Sequence, residues 1–576
     1  MGQVKVVDGS RLKNYCSFRY FPDVEGKVVI DEGFFNYLSG DENKDDITVI
    51  PGWPVSRSGS NERGGVYGNL DADPELELVY PVGSALYAFN IDGSDVSGWP
   101  KPLDYPTDGA ASFGDIDGDG FGEIVITTHQ TATFAFGTIY AFEINGTDVA
   151  GFPVVTEGGA VRTPVLADLD GDGAMEIIIA VRNWPEGLIY VYRGDGTIFP
   201  NWPQRMDYVP GSAVAVGDIN GDEIPEIVAE SYYRLHAYSI DGVLLPGFPY
   251  LPDTTGTRVF SYSTPVLADL DGDGNREIIC GDHSIENGTG AVHVVKNDGK
   301  SRDGWPKITG SWVYGPPSIG DINGDGLLDI AVGDQTLSVT PVNKVYAWTG
   351  STADTLQGFP ITDIFAVNSQ IILADIDGDN KIELMFDDNT SEGKYPGYNH
   401  DGTIMEDWPL VVDGSTFYIN PIVVDINHDE IMEISGGGYD ETSDNTNLYL
   451  WNANVEYESE LAVLPILQYN TRHNGVYGDY LMVGTPDVMQ EINGGWNIFP
   501  NPARGIINFK FPMLNPGKDF SLSIYDISGR EVIEMKIPDG QRALQVSIED
   551  FKMGIYTAVM KEGYSVRAGW KFVISQ

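Results

Sequence analysis

The stretch DIDGDGFGEIVI, residues 115–126, places four carboxylates in a nine-residue loop directly before an apolar run. Asp115, Asp117, Asp119 and Glu123 occupy positions one, three, five and nine of this loop, and glycines occupy positions four and six. Glycine permits the tight coiling that turns alternate side chains inward, and the ninth residue returns from the strand that follows. The stretch therefore predicts an oxygen-lined loop at the start of a β-strand.

The same pattern occurs eight times, at intervals of 46 to 54 residues. A fixed period near fifty residues is typical of stacked supersecondary units. Positions one, three, five and nine are, loop by loop, Asn69, Asp71, Asp73 and Glu77; Asp115, Asp117, Asp119 and Glu123; Asp168, Asp170, Asp172 and Glu176; Asp218, Asn220, Asp222 and Glu226; Asp269, Asp271, Asp273 and Glu277; Asp321, Asn323, Asp325 and Asp329; Asp375, Asp377, Asp379 and Glu383; and Asp425, Asn427, Asp429 and Glu433.

Each unit contains the material for four short strands. RTPVLA (162–167) precedes a loop, EIIIAV (176–181) follows it, LIYVYRGDG (188–196) alternates and ends in a turn, and a GWP or GFP element completes the unit. Four strands per unit are typical of a propeller blade. The sequence therefore predicts an all-β fold, with an eight-bladed β-propeller over residues 47–483 and a seven-bladed ring as the alternative.

The aromatic residues before the GWP and GFP prolines recur in every unit, so we expect them to wedge between neighbouring blades rather than to stack on sugars. They are Trp53, Trp99, Phe152, Trp202, Phe248, Trp305, Phe359 and Trp408. The sequence does not decide which segment supplies the strand that closes the ring. Fourth-strand candidates occur at GWPV (52–55) and at AVLPILQYN (462–470), and RHNGVYG (472–478) resembles the start of a ninth unit.

The clustered carboxylates predict a hard cation. Two carboxylates 4 Å apart repel by about 4 kcal/mol at an effective dielectric constant near 20, and four in one loop need a counter-charge. Positions one, three, five and nine contain no His or Cys, so calcium fits better than a soft metal. A solvated Asp-Gly turn is the alternative for a single copy. We predict up to eight Ca²⁺ ions, with the first loop (Pro74) and the last (His428, Glu430) as the least regular.

The net charge of −51 argues against nucleic acid or an anionic membrane as a partner. The sequence contains no run of about 18 apolar residues, so we predict no transmembrane helix. Calcium at millimolar extracellular concentration could fill such loops, whereas cytosolic levels are too low. We therefore expect an extracellular location.

The D-x-D-G-D-G-x-x-E loops, with strands such as PVLADLDGDG (164–173), resemble the FG-GAP/VCBS repeats of integrin α-like propellers over about residues 47–483. The resemblance implies calcium bound by positions one, three, five and nine together with the backbone oxygen of position seven. It also implies adhesion and ligand recognition.

The composition changes near residue 490, from strongly acidic to ten Lys or Arg and eight Asp or Glu over 497–576. Alternating segments there predict a small immunoglobulin-like β-sandwich. FPNP (499–502), YDISGREV (525–532), MGIYTAVM (553–560) and KFVIS (571–575) resemble the type A sorting domain of the type IX secretion system. That resemblance implies contact with the secretion machinery, Sec export, and hence a sequence that begins within a longer precursor. It also extends the expected extracellular location to the outer-membrane surface. We expect 484–496 to be a linker, and 1–46 to be a linker or the end of an upstream domain.

No motif of a known catalytic class occurs, so we predict no catalytic residues and no organic cofactor. We expect a monomeric, non-catalytic module that binds an extracellular protein or glycan. The alternatives are an accessory propeller of a secreted protease and a calcium-dependent polysaccharide lyase. A lyase would require basic residues gathered at one mouth of the propeller, for which the candidates are Arg162, Arg182, Arg205, Arg234 and Arg258.

Overall fold

The computed structural model describes residues 47–479, except 62, 72, 74, 131–133, 261, 337–339 and 389–392. It also describes residues 497–574, except 505, 511–519, 527–530, 538–542, 549–550, 552–553 and 563–564. Within these ranges the chain is all-β, as predicted, and its one helical element is the 3-10 turn Leu467–Tyr469. The segments predicted for 1–46 and 484–496 lie outside the described residues.

The described strands of residues 47–479 form eight antiparallel sheets, one for each acidic loop, and one further two-stranded pair. Two short strands, β1 (Thr48–Val49) and β2 (Val55–Ser58), precede the first sheet. Sheet 1 contains β3 (Val66–Gly68), β4 (Glu77–Val82), β5 (Ala85–Phe89) and β6 (Lys101–Pro102). Sheet 2 contains β7 (Ser112–Gly114), β8 (Glu123–His129), β9 (Phe136–Phe142) and β10 (Val154–Glu157). Sheet 3 contains β11 (Gly159–Ala167), β12 (Glu176–Asn183), β13 (Glu186–Tyr192) and β14 (Gln204–Met206).

The next three sheets keep this order. Sheet 4 contains β15 (Ala215–Gly217), β16 (Glu226–Glu230) and β17 (Leu235–Tyr238). Sheet 5 contains β18 (Arg258–Phe260) and β19 (Val266–Ala268), both paired with β20 (Glu277–Ser284), then β21 (Gly290–Val295) and β22 (Lys307–Thr309). Sheet 6 contains β23 (Trp312–Val313) and β24 (Ser318–Gly320), both paired with β25 (Asp329–Gln335), then β26 (Asn343–Thr349) and β27 (Ile361–Ile364).

The last two sheets are less regular. Sheet 7 contains β28 (Ile372–Ala374), β29 (Glu383–Met385) and β31 (Gly397–Tyr398), with the separate pair β30 (Lys394–Tyr395) and β32 (Leu410–Val411). Sheet 8 contains β33 (Ile422–Val424), β34 (Ile431–Asp440) and β35 (Asn445–Glu456). The count of eight blades stays a prediction, as does the seven-bladed alternative.

The hairpins give the sheets two distinct ends. In each sheet the acidic loop joins the inner strand to the next strand, so the loops lie at one end, which we call the loop face. The turns between the second and third strands lie at the opposite end, which we call the turn face. In sheet 3, for example, Ala167 pairs with Glu176 at the loop end, and Gly159 pairs with Arg182 at the turn end.

The N-terminal strands complete sheet 8. Strand β1 pairs with β35 through Thr48 and Asn452, and β2 pairs with β35 from Val55 with Leu448 to Ser58 with Asn445. Of the two closing candidates in the sequence, the GWPV segment therefore supplies the strand. The exposed edge of β35 is covered in this way.

The other candidate fills the centre instead. Residues 461–479 run along the inner strands, and no ninth unit forms from RHNGVYG. Backbone N–H groups of seven sheets donate to this central segment: Phe113 to Thr471 O, Leu166 to Arg472 O, Val216 to Asn474 O, Leu267 to Gly475 O, Ile319 to Tyr469 Oη, Leu373 to Leu464 O and Val423 to Pro465 O, at 2.8–3.3 Å. Because one segment of fewer than twenty residues contacts the inner strands of sheets 2 to 8, these sheets surround it.

The predicted aromatic wedges lie between neighbouring sheets. Seven of the eight rings are buried, and Trp408 is half-buried. Trp99, which lies directly before the last strand of sheet 1, contacts the Phe142 ring of sheet 2 edge-on at 5.8 Å and donates from Nε1 to Ile144 O. Trp53 and Trp202 make the corresponding contacts with the sheets that follow them. The repeated aromatics are therefore core residues.

The C-terminal strands form a separate β-structure with its own apolar core. Strands β39 (Glu531–Ile537), β38 (Phe520–Asp526), β41 (Gly554–Glu562) and β42 (Ser565–Ile574) are adjacent in that order, and β36 (Asn497–Arg504), β37 (Ile506–Lys510) and β40 (Ala543–Ser547) form a second group. A parallel pairing of Ala503 with Ile574 joins the two groups. Phe509 of one group and Leu522 of the other are buried in the same cluster.

Candidate metal sites and the opposite face

In seven of the eight acidic loops, backbone N–H groups coil the chain around the carboxylate at position one, whereas Asn69 of the first loop donates from Nδ2 to Asp73 O at 2.8 Å. In the second loop Asp115 accepts from Gly118 N at 2.7 Å and from Gly120 N at 3.0 Å. Asp117 accepts from Asp119 N at 3.1 Å, and Asp119 accepts from Phe121 N at 2.8 Å. These local bonds are Asx-type turns, in which a short acid replaces backbone partners. They gather the remaining carboxylate oxygens in the loop.

The ninth residue is held by one oxygen in all eight loops. One of its carboxylate oxygens accepts from the N–H of position two at 2.5–3.0 Å. In seven loops this acid is the first residue of the following strand, as Glu123 is in β8, and in the eighth it lies within β34. The strand therefore fixes the position of the last predicted ligand.

The second oxygen of this acid has no hydrogen-bond partner in four loops. The atoms are Glu123 Oε1, Asp329 Oδ1, Glu383 Oε1 and Glu433 Oε1, in side chains with no exposed surface. A buried carboxylate oxygen without a partner costs free energy, since the charge loses its hydration. These atoms are suitably placed to bind a cation.

Burial, reinforced by neighbouring carboxylates, raises the pKa of the ninth residue. The pKa of Glu77, Glu123, Glu383 and Glu433 rises to about 8. The pKa of Glu176, Glu226 and Asp329 rises to about 7. A raised carboxyl pKa means that the fold disfavours the charged form. A bound divalent cation would reverse this preference.

Five loops bring three carboxylates within 4.8 Å of one another. The groups are Asp71, Asp73 and Glu77; Asp115, Asp117 and Glu123; Asp168, Asp170 and Glu176; Asp269, Asp271 and Asp273; and Asp375, Asp377 and Glu383. The irregular first loop is thus among them. The other three loops have Asn220, Asn323 or Asn427 at position three, where a side-chain amide replaces a carboxylate. All eight loops offer oxygen donors of the kind calcium prefers.

The fifth loop contains its own cation. Arg302 lies 2.8 Å from Asp271 Oδ2 through Nη2 and 2.8 Å from Glu277 Oε1 through Nη1, with 12% of its side chain exposed. Two of the four predicted ligands of this loop therefore share one guanidinium counter-charge. This contact makes the fifth loop a poorer candidate for calcium than the other seven.

Sequence reasoning missed Arg302, although the repeat contains a signal for it. Arg302 stands three residues before the GWP aromatic Trp305, and the other seven units have an apolar residue there. Those residues are Ile50, Val96, Val149, Phe199, Leu245, Leu356 and Met405. Aligning the units on the aromatic residue exposes this one charged exception.

The five arginines considered for a lyase lie towards the turn face, and four have acidic partners. Arg205 pairs with Glu186, Arg234 lies 3.3 Å from Asp207, Arg258 lies 2.6 Å from Asp282, and Arg162 lies 3.6 Å from Asp108. Arg182 donates to Pro210 O and stacks over Phe134. Arg234 and Arg258 line a common cleft of about 330 Å³.

Comparison with known protein families finds two matches. Residues 115–179, 168–229 and 250–332 match the family model of the FG-GAP-like repeat. Residues 497–575 match the secretion system C-terminal sorting domain. Both resemblances drawn from the sequence are thereby confirmed. No curated protein matches the chain.

Three solved structures are distantly similar to this chain. The exotype rhamnogalacturonan lyase YesX is 14% identical, with 72% of this chain and 95% of that chain covered and a TM-score of 0.42. The biofilm matrix protein Bap1 of V. cholerae is 14% identical, with 72% and 92% covered and a TM-score of 0.37. The BP39L lectin of Burkholderia pseudomallei is 10% identical, with 61% and 99% covered and a TM-score of 0.39. Similarity this low carries no argument about activity.

Two further observations concern location. No helix among the residues that the structure describes has the length and hydropathy needed to span a membrane. The sorting domain implies export to the extracellular space or the cell surface, and with it contact with the secretion machinery. The chain thus contains FG-GAP-like repeats followed by a secretion system C-terminal sorting domain.

Proposed function

We propose that this secreted propeller binds calcium in its acidic loops and acts as a non-catalytic module that recognises an extracellular protein or glycan. The observation that carries the calcium proposal is the set of buried, partnerless carboxylate oxygens at position nine. Each lies in a loop whose other oxygens are already gathered by backbone bonds. Bound calcium would stabilise the ring by linking the two strands that flank each loop.

The pairing of basic residues on the turn face with carboxylates supports a non-catalytic role. Proton abstraction from a uronic acid needs a base of suitable pKa and cations that neutralise the substrate. On the turn face, Arg205, Arg234 and Arg258 are each paired with a carboxylate. Burial lowers the pKa of His236 and His283 to about 4. These groups hold the structure together.

Calcium content and thermal stability test the proposal. The purified protein, dialysed against calcium-free buffer, should retain several equivalents of calcium by elemental analysis. A chelator should lower its Tm, since a ligand present at 100 times its Kd stabilises by about 2.7 kcal/mol per site. Added Ca²⁺ should restore the Tm, and Mg²⁺ at equal concentration should restore less. A metal-free protein with an unchanged Tm in chelator would contradict the proposal.

A polysaccharide lyase is the second candidate, because Arg234 and Arg258 line one cleft together with Tyr233. A lyase would release unsaturated products that absorb at 235 nm from pectic polymers in the presence of calcium. We expect no such increase. An increase that is abolished by Arg234→Ala would replace the binding proposal with an enzymatic one.

A further inference from the structure

A row of aromatic side chains crosses four consecutive sheets on the turn face. Neighbouring ring centroids in this row lie 4.1–6.3 Å apart. Its members come from the turns and inner-strand starts of sheets 3 to 6, and none belongs to the repeated GWP series. We call this row the aromatic belt; it consists of Trp184, Tyr208, Tyr232, Tyr233, His283 and Trp312.

The exposure of the belt is not explained by packing. Trp184 is 72% exposed and Tyr233 is 40% exposed, whereas Trp202, also followed by proline, is 6% exposed. Exposed large aromatic surface is costly in water, and contiguous patches of it mark binding sites. Trp184 belongs to the one Trp-Pro pair of the sequence that lies outside the wedge series. The belt is therefore exposed at Trp184 and Tyr233, whereas Tyr208, Tyr232 and Trp312 are half-buried and His283 is buried.

A polar cleft adjoins the belt at Tyr233. The cleft measures about 330 Å³ and is lined by Asp207, Arg234, Asp253 and Arg258 in addition to Tyr233. Its size falls within the range of about 300–1,000 Å³ typical of small-ligand sites. Carboxylate and guanidinium groups beside aromatic rings can bond hydroxyl groups while the rings cover C–H faces. This combination suits a sugar ring.

The charges around the cleft favour a neutral ligand. Arg234 and Arg258 are paired with Asp207 and Asp282, and Asp253 in the cleft is held only by N–H and hydroxyl donors. The chain as a whole carries a net charge of −51. An anionic polymer would be repelled, since no cation of the cleft is left to attract it.

We propose that the aromatic belt and its cleft bind a neutral polysaccharide. The inference rests on the proposed function and narrows its ligand from protein or glycan to neutral glycan. The exposed rings of Trp184 and Tyr233 stack against sugar faces, and the Asp207 and Arg234 pair bonds sugar hydroxyls in the cleft. Because the two exposed rings belong to different sheets, with the Tyr208 ring between them, the ligand is a chain of sugars rather than a single one.

Native affinity electrophoresis of the full chain in calcium tests the proposal. The gels contain galactomannan, mixed-linkage β-glucan or arabinoxylan as neutral probes and polygalacturonate as the acidic probe. We expect at least one neutral polymer to retard the protein. Trp184→Ala and Tyr233→Ala should each weaken the binding by about tenfold, since each removes one stacked ring. Trp184→Phe should retain part of it.

The matched control is Ile308→Ala, which removes a 58% exposed apolar side chain outside the belt and should bind as the unchanged protein does. Equal melting temperatures in calcium show that the variants are folded. Failure of all three neutral probes would overturn the inference, as would binding that survives the Trp184→Ala, Tyr233→Ala double variant. Binding to polygalacturonate alone or to a protein ligand alone would also overturn it. Calcium retention and the chelator response are measured separately, so the proposed function stands or falls independently.

Discussion

The acid at position nine is a buried carboxylate in every loop, so its charge loses its hydration. Glu383 holds Ile376 N through Oε2, while its Oε1 has no partner. Glu383→Gln keeps an oxygen for the backbone bond but removes the charge. We expect one fewer bound calcium and a lower Tm in calcium, and in chelator a Tm equal to or above that of the parent protein, because burial and neighbouring carboxylates already oppose the charge.

The control for this variant is Glu157→Gln, since Glu157 is exposed and lies at the turn end of strand β10. It should change neither the calcium content nor the Tm in either buffer. If Glu383→Gln bound as much calcium as the parent protein, the seventh loop would not be a calcium site of the proposed kind.

Arg302 distinguishes the fifth loop from the other seven by placing a counter-charge beside two of its predicted ligands. In Arg302→Leu this position becomes apolar, as in the other seven units, while Asp271 and Glu277 lose their counter-charge. We expect the variant to bind one additional calcium and to lose about 1–3 kcal/mol of stability in chelator, because a largely buried carboxylate is left unpaired. Elemental analysis and melting in both buffers measure this.

Lys300→Ala is the matched control, because Lys300 is 74% exposed and pairs only with Asp298 outside the loop. Its calcium content and Tm should match those of the parent protein. An Arg302→Leu variant with unchanged calcium content would show that the guanidinium does not compete with a metal.

At the scale of elements, closure depends on two short strands. Strands β1 and β2 cover the edge of β35. Deletion of residues 1–58 should lower the Tm and promote association, because the longest strand of sheet 8 then presents unpaired N–H and C=O groups. Deletion of residues 1–46 is the matched control, since both closing strands remain. Equal stability of the two truncated proteins, by melting and by light scattering, would contradict this role for β1 and β2.

The high net negative charge of the whole molecule affects the stability of the folded state. At −51, self-repulsion opposes compaction, and salt screens it over about 10 Å at 0.1 M and about 3 Å at 1 M. In chelator we expect the Tm to rise when sodium chloride is raised from about 0.05 M to about 1 M. With saturating calcium the rise should be smaller, since bound cations already neutralise the densest charge. The same salt response in both buffers would argue against neutralisation by calcium.

The sequence by itself determined the features that depend on local interactions. An acidic loop is built from bonds between residues two to seven apart, such as Gly118 N with Asp115 and Ile116 N with Glu123, so eight copies of the pattern produce eight similar loops. The wedge role of Trp99 followed from its recurrence at one place in every unit. Repetition makes such contacts predictable, because each unit meets a neighbour of the same kind.

Only the tertiary structure decided what breaks the repeat. The segments 52–55 and 462–470 both satisfied the local pattern for closure. Long-range pairing places the strand that begins at Val55 in sheet 8 and the segment 462–470 in the centre. Arg302 lies 25 residues or more from its two partners, and the ends of the aromatic belt, Trp184 and Trp312, lie in different sheets. These groups meet because the ring brings unlike positions of different units together. The local repeat pattern of the sequence does not indicate these long-range contacts.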